Sequence, residues 1–159
     1  MRISTVCFLL KGKRVLLAPR KDGFGLGNMT GFGGKVDDGE SITQAVTRET
    51  GEESELVILA RDITQVALIR RFTFDVQTFE IHVFTARKWS GVPKETAEMG
   101  DPRWYAFDAL PEAMWEGDRL WLPRVLAGDT FEADVRLDEH DRLTKDIVYR
   151  ARTFVPEPA

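Results

Sequence analysis

The chain reads as a mixed α/β (α+β) fold, a sheet flanked by two main helices. Three observations predict it. Short apolar runs, alternating or continuous, recur along the sequence as strands do. Two other segments repeat at helical spacing behind residues that cap helices. More than half of the thirteen glycines fall within residues 20–40, ahead of the first helix, where no regular element would hold them.

Residues 3–10 (ISTVCFLL) and 14–19 (RVLLAP) are expected strands, joined by a turn at Lys11-Gly12-Lys13. Residues 20–40 suit a binding loop, because glycine lets bare backbone approach a ligand. Ser41 starts the first helix, and Ser41-Ile42-Thr43-Gln44 matches a capping box. That helix runs to about Ser54 despite Gly51, which costs roughly 1 kcal/mol against alanine. Strands are expected at 56–60, 63–69 and 76–87, where Phe79, Ile81 and Val83 alternate with Glu80 and His82. Residues 103–107 make another short strand, and Leu110 to Trp115 a helical turn. Asp118 can cap a second helix through about Leu126, ended by Gly128. Strands at 130–137 and 143–153 flank a turn at Asp138–Asp141. Residues 1–153 are read as a single domain and 154–159 as a short, frayed tail.

Composition narrows the function. The 159 residues suffice for one core. A net charge of −4 argues against a general binder of nucleic acid polymers or of membrane surfaces. Cys7 is the single cysteine, so no internal disulfide can form and a reducing compartment fits. Neither a membrane-length apolar run nor a signal-peptide cleavage region is present. A cytoplasmic protein is expected, monomeric or else dimeric.

The first helix carries the chemistry. At about 100° per residue, Glu49 and Glu53 lie roughly 40° apart and Glu52 about 60° from Glu49. Ile42, Ala45, Val46 and Leu56 share that stripe, so three acids are expected where the helix should pack inward. Like charges this close destabilise a helix by a few tenths of a kcal/mol per pair, and partial burial adds to this. A bound cation offsets both. Carboxylate oxygens suit Mg²⁺, or Mn²⁺ as a substitute. Zinc fits poorly, since His82 and His140 have no ligand spacing with Cys7. A glycine loop beside acids and metal points to phosphoanhydride hydrolysis, with a glutamate activating water. The competing reading is an ordinary solvated acidic face, which the inward position and the adjoining loop disfavour.

These residues spell G-x5-E-x7-R-E-U-x-E-E-x-G-U, with U a bulky apolar residue, and so the chain resembles the Nudix family. Gly34, Glu40, Arg48, Glu49, Glu52, Glu53 and Leu56 match; Thr50 and Glu55 depart from the pattern. Glu55 replaces the usual left-handed glycine stop, which predicts an altered helix end. GFGLGNMTGFGGKV, FEIHVF, ETAEM and MW-x2-D-x2-W-x-P at 114–123 are similar to the MutT-type branch, the 8-oxo-dGTPases.

The resemblance implies an α/β/α sandwich around a central mixed sheet. It implies hydrolysis of an oxidised purine nucleoside triphosphate to monophosphate and pyrophosphate. Metal ligands would be Glu49, Glu52, Glu53, Glu98 and the Gly33 carbonyl. Arg48 would orient the acids, and Glu53 would be the first choice as base, ahead of Glu52 and Glu98. Arg20 and Lys35 would meet the phosphates. Trp115 would stack on the base, with Thr5, Phe24 and Met29 lining the cavity. Thr30 stands where similar enzymes carry an asparagine that reads the purine, and Gly117-Asp118 where they carry two aspartates. Those changes keep a second reading open, a Nudix hydrolase of another nucleoside diphosphate derivative. A non-catalytic Nudix-shaped binding module is the third.

Among other residues, Trp104 and Trp121 are expected in the core and His82 as a hydrogen-bonded structural residue. His140 is expected in solvent, and Cys7 as a small core residue. Arg70 and Arg71 read equally as phosphate contacts or as a solvated strand end.

Overall fold

The computed structural model of the protein describes residues 1–156; the last three residues of the expected tail lie outside them. The strands are β1 (Arg2–Lys11), β2 (Arg14–Pro19), β3 (Met29–Thr30), β4 (Ile63–Thr73), β5 (Val76–Ala86), β6 (Arg103–Ala106), β7 (Phe131–Leu137) and β8 (Val148–Ala151). The helices are α1 (Ile42–Ser54) and α2 (Glu116–Leu126). The sheet runs β3-β2-β1-β5-β4-β7-β8, with β6 paired to β2. It is mixed: β1 and β5 are parallel, as are β4 and β7, and the remaining pairs are antiparallel.

Alternation along β1 and β2 builds two cores from two strands. Val6, Phe8, Leu10, Val15 and Leu17 face α2, where they meet Trp121, Leu122 and Val125. Cys7, Leu9, Leu16 and Ala18 face the other way, toward Val46 of α1 and Leu56. Phe8 meets Trp121 edge to face at 5.9 Å. Each large side chain so buried contributes about 1.5–3 kcal/mol. The result is the α/β/α sandwich expected from the sequence.

Several elements differ from expectation. Residues 56–60 are not a strand: Leu56 is a core residue, Val57 makes a lone bridge to Ser90, and Ala60–Asp62 is a 3₁₀ turn. β4 extends past residue 69 to Thr73 and turns into β5 through Phe74 and Asp75, both at positive φ (49° and 63°). A tight hairpin demands that backbone, and Phe-Asp is a poor sequence marker for it. Residues 110–115 form no helical turn. Trp115, not Asp118, is the N-cap of α2, and Asp118 sits inside the first turn. The expected strand at 143–153 shortens to Val148–Ala151. The glycine loop holds one short strand, β3.

Helix α1 keeps its capping box: Gln44 N–H donates to Ser41 Oγ and Ser41 N–H to Gln44 Oε1. Its buried face is rotated from the expected stripe. Ala45, Val46, Thr50, Glu53 and Ser54 are buried, whereas Glu52 is exposed. Thr50 Oγ1 donates to the Val46 carbonyl, so this departure from the apolar pattern is satisfied inside its own helix. The expected alteration of the helix end is absent. Glu55 itself takes the left-handed conformation (φ 63°, ψ 14°), and its N–H donates to the Gly51 carbonyl. An ordinary side chain there stores strain of about 1 kcal/mol. Glu55→Gly is therefore expected to raise stability by up to about 1 kcal/mol, less what glycine adds to unfolded-chain entropy. Urea unfolding measures it, and no gain in midpoint would refute it.

Candidate active site

The acid end of the site forms where the glycine loop crosses β1. Cys7 N–H donates to the Phe32 carbonyl and Thr5 N–H to the Gly34 carbonyl (2.7 and 2.8 Å). Strand alternation turns the intervening Gly33 the other way, toward α1, where its N–H donates to Glu53 Oε1 at 2.9 Å. No side chain fits at either glycine. A Cβ on Gly33 would lie 1.9 Å from the Thr5 carbonyl oxygen, and one on Gly34 would lie 2.6 Å from the Glu49 carboxyl carbon. Gly34 thus lets a carboxylate lie against bare backbone.

Three acids converge there. Glu49, Glu53 and Glu98 each place a carboxylate oxygen within 4.8 Å of the others. Glu53 is 1% exposed, and burial, opposed by the Gly33 N–H, pushes its carboxyl up to about 8. Burial raises Glu49 as well. Glu52 lies outside this cluster, its side chain 53% exposed and paired with Arg48 at 3.3 Å.

Arg48 organises the flank. Nε and Nη2 clasp both oxygens of Glu40 (2.7 and 2.9 Å), Nη1 reaches Glu49 at 2.9 Å, and Nη2 also donates to the Lys35 carbonyl. The Arg48 guanidinium holds the Glu40 carboxyl down to about 2. This bidentate pair fixes the loop against α1.

Glu98 comes from an exposed loop that is well anchored. Thr96 Oγ1 donates to the Glu53 carbonyl, Lys94 N–H to the Ser54 carbonyl, and Gly100 N–H to the Pro19 carbonyl. Thr96 was not singled out by its sequence. Its hydroxyl secures a loop without regular structure, and spacing carries no signal for that.

From the acids a cleft runs along β1 to an aromatic end. Thr5, Arg20, Gly33 and Gly34 line the near part; Trp115, Phe24, Phe79, Thr30 and Asp118 line the far part. Arg20 Nη1 lies 3.9 Å from Glu53, while its buried Nε has no hydrogen-bond partner among the described residues. Phe24 stacks between Trp115 (5.6 Å) and Phe79 (6.1 Å). Gly25 packs so closely on the Trp115 ring that a Cβ would lie 1.9 Å from it. Asp118 accepts from Trp121 Nε1 at 3.1 Å, and burial pushes its carboxyl up to about 7.

The acid helix, the glycine crossing and Arg48 on Glu40 are the signature read from the sequence, now joined in space. A NUDIX domain model matches residues 1–125. The chain belongs to the Nudix family. Curated relatives include the oxidized purine nucleoside triphosphate hydrolases of Danio rerio and Mus musculus. The first is 36% identical over 88% of this chain and 89% of its own length. The second is 33% identical over 89% and 90%. Among solved structures, the mutator MutT protein of Bacillus halodurans superposes with a TM-score of 0.77 at 25% identity, covering 99% of this chain and 100% of its own. The fold and the enzyme class are those of a Nudix hydrolase, acting on a nucleotide and dependent on a divalent metal.

In this Nudix hydrolase not every expected residue reaches the cleft. Met29 belongs to the α2-side core, with its N–H donating to Ala113. Lys35 is exposed and contributes its backbone carbonyl to Arg48. Gly117 is buried against Val135 and lines a smaller cavity behind Asp118. Trp121 is a core residue as expected, and it also holds Asp118. Trp104 stacks on Trp89 beside the α1-side core, and His82 bonds to Gln65 at 2.9 Å. Cys7 is a fully buried core residue as expected, and burial pushes its thiol up to about 12.

Phe79 is a cleft residue that the sequence did not single out, and Arg71, read there as a phosphate contact or a solvated strand end, is a mostly buried cleft residue beside it. They are cross-strand partners, and Arg71 stands two residues beyond the core residue Ile69. Had the strand at 63–69 been extended, its period of two would have placed Arg71 on the cleft face. No helix among the described residues is long and apolar enough to cross a membrane.

Proposed function

We propose that this Nudix hydrolase acts on oxidised purine nucleoside triphosphates, 8-oxo-dGTP first among them, releasing pyrophosphate and leaving the monophosphate. The observation that carries the reading is the cleft itself, with convergent acids at one end and an aromatic wall with a deep carboxyl at the other. That polarity, acidic at one end and aromatic at the other, suits a metal-bound triphosphate ending in a purine. The oxidized purine nucleoside triphosphate hydrolase activity for which the fish and mouse relatives are named supports it.

Glu49, Glu53 and Glu98 fit a divalent cation. Their oxygens are hard and close together, and Glu53 is a buried carboxyl with no full ion pair. Mg²⁺ is the proposed ion, with Mn²⁺ as substitute. When bound, such an ion polarises the phosphoryl group and neutralises developing charge. Glu53 is held by Gly33 N–H at one oxygen, which leaves the other to take a proton from the attacking water. Arg48 fixes Glu49 and the loop. Arg20, with donors to spare, meets the phosphates. Trp115 stacks on the base, and Thr30 and Asp118 hydrogen-bond its edge. The proposed enzyme is a monomer, with a dimer as the alternative, working in the cytoplasm on the nucleotide pool.

The test measures pyrophosphate release with Mg²⁺ from 8-oxo-dGTP, 2-hydroxy-dATP, dGTP, a dinucleoside polyphosphate and ADP-ribose. Higher kcat/KM for 8-oxo-dGTP than for dGTP is expected. Equal values would overturn the sanitising role, and faster cleavage of ADP-ribose or the dinucleoside would replace it with the second reading.

A further inference from the structure

Arg2 and Arg71 are cleft arginines that the reaction does not use, and Arg71 is the deeper-set of them. Its side chain is only 11% exposed, and Nη2 donates to Asp141 Oδ1 at 2.7 Å. The guanidinium lies over the rings of Phe24 (5.0 Å) and Phe79 (5.5 Å), the wall that faces Trp115. It lines both the cleft and the smaller cavity behind it, which Asp118 and Trp115 also line. The groups around Arg71 are Phe24, Phe79, Asp118 and Asp141, and none of the three clustered acids is among them, so Arg71 belongs to the aromatic end of the cleft.

A guanidinium has five N–H donors. Among the described residues Arg71 spends one hydrogen bond, on Asp141. The guanidinium is flanked by the Phe24 and Phe79 rings, and the residue lines the cleft. Asp118, a carboxyl on the same wall, supplies the opposite polarity. A donor fork beside an acceptor is complementary to a ring carbonyl beside a ring N–H.

We infer that Arg71 is a specificity-determining residue that donates to a carbonyl oxygen of the bound base, with Asp118 accepting from the adjacent ring N–H. The cleft then selects purines that present such a lactam edge: guanine, 8-oxoguanine and 8-oxoadenine, but not adenine. This rests on the proposed nucleotide substrate, and it depends on the lactam rather than on oxidation itself.

The experiment compares kcat/KM for 8-oxo-dGTP, dGTP, 8-oxo-dATP and dATP in the wild type, Arg71→Met and Arg71→Lys, with inorganic triphosphate as a competitive inhibitor. Arg71→Met is expected to lower kcat/KM for the three lactam substrates about tenfold to a hundredfold, mainly through KM, and to leave dATP nearly unchanged. Arg71→Lys should recover part of the loss, since it keeps the charge but not the fork. The inhibition constant of inorganic triphosphate should stay the same. Equal losses on all four nucleotides in both variants would overturn the inference, as would weakened triphosphate inhibition, which would place Arg71 on the phosphates. If the wild type fails to prefer 8-oxo-dGTP over dGTP, the sanitising role falls. The lactam selection still stands or falls separately, on the dGTP to dATP ratio.

Discussion

Glu53→Gln is expected to lower kcat about a thousandfold or more, with KM for the nucleotide changed only a few-fold. Glutamine keeps the volume and can still accept from Gly33 N–H, so the crossing of the loop over β1 survives. It loses the negative charge and the basic oxygen together. The same substitution at Glu52 provides the contrast. Its carboxylate is exposed, lies outside the Glu49–Glu53–Glu98 cluster and is paired with Arg48. Glu52→Gln is expected to reduce kcat about tenfold or less. Steady-state kinetics on the purified variants decide between them. If Glu53→Gln keeps a tenth of the wild-type rate, or Glu52→Gln is the more damaging, the base is misassigned.

The second large effect is on stability. In the metal-free chain Glu53 keeps its proton up to about pH 8, against an ordinary value of 4.5. Between those values the folded state binds a proton that the unfolded state has released. Stability is therefore full below about pH 4.5 and falls as pH rises toward 8. Asp118, raised from 3.8 to about 7, acts with the same sign. Glu40 and Glu132, each held down to about 2 by arginine partners, act oppositely and only in acid, where their contribution is lost as pH falls. The metal-free protein should thus be most stable near pH 5 and lose on the order of 2–4 kcal/mol by pH 8. A saturating divalent cation binds the deprotonated acids and should reverse most of that loss. Urea unfolding at pH 5 and 8, with Mg²⁺ and with chelator, measures both. A flat pH profile in chelator, or one that Glu53→Gln leaves as steep as before, would overturn the account.

The acid end was largely legible because it is local. Capping box, glutamates and Arg48 lie within one helix and the loop before it, so helical periodicity brings them together. Even there a stripe drawn from apolar neighbours pointed Glu52 inward. The buried face is centred further round, because Thr50 and Ser54 are small and satisfy their hydroxyls within the helix. The aromatic end was less legible. Its residues come from five separate segments, and their meeting depends on the register of β4 on β5 and on where α2 begins. A hairpin turned by Phe74-Asp75 shows neither glycine nor asparagine, so the sequence ends β4 early and leaves Arg71 at a strand end with its buried, cleft-facing side unmarked. Asp118 has the composition of a helix cap, yet it faces the cleft because Trp115 takes the cap position.

The hinge between these two ends is β1, which carries Thr5 in the cleft and Cys7 and Leu9 in the opposite core. Glu53 and Arg48 depend on one side of the sheet, and Trp115, Asp118 and Arg71 on the other. Substitutions that reshape the aromatic wall can therefore accumulate without passing through the acid cluster. Such a layout lets a lineage retarget its hydrolases to new nucleotides while the cleavage chemistry is inherited intact, and Thr30, Asp118 and Arg71 in this chain are where such retargeting would be recorded.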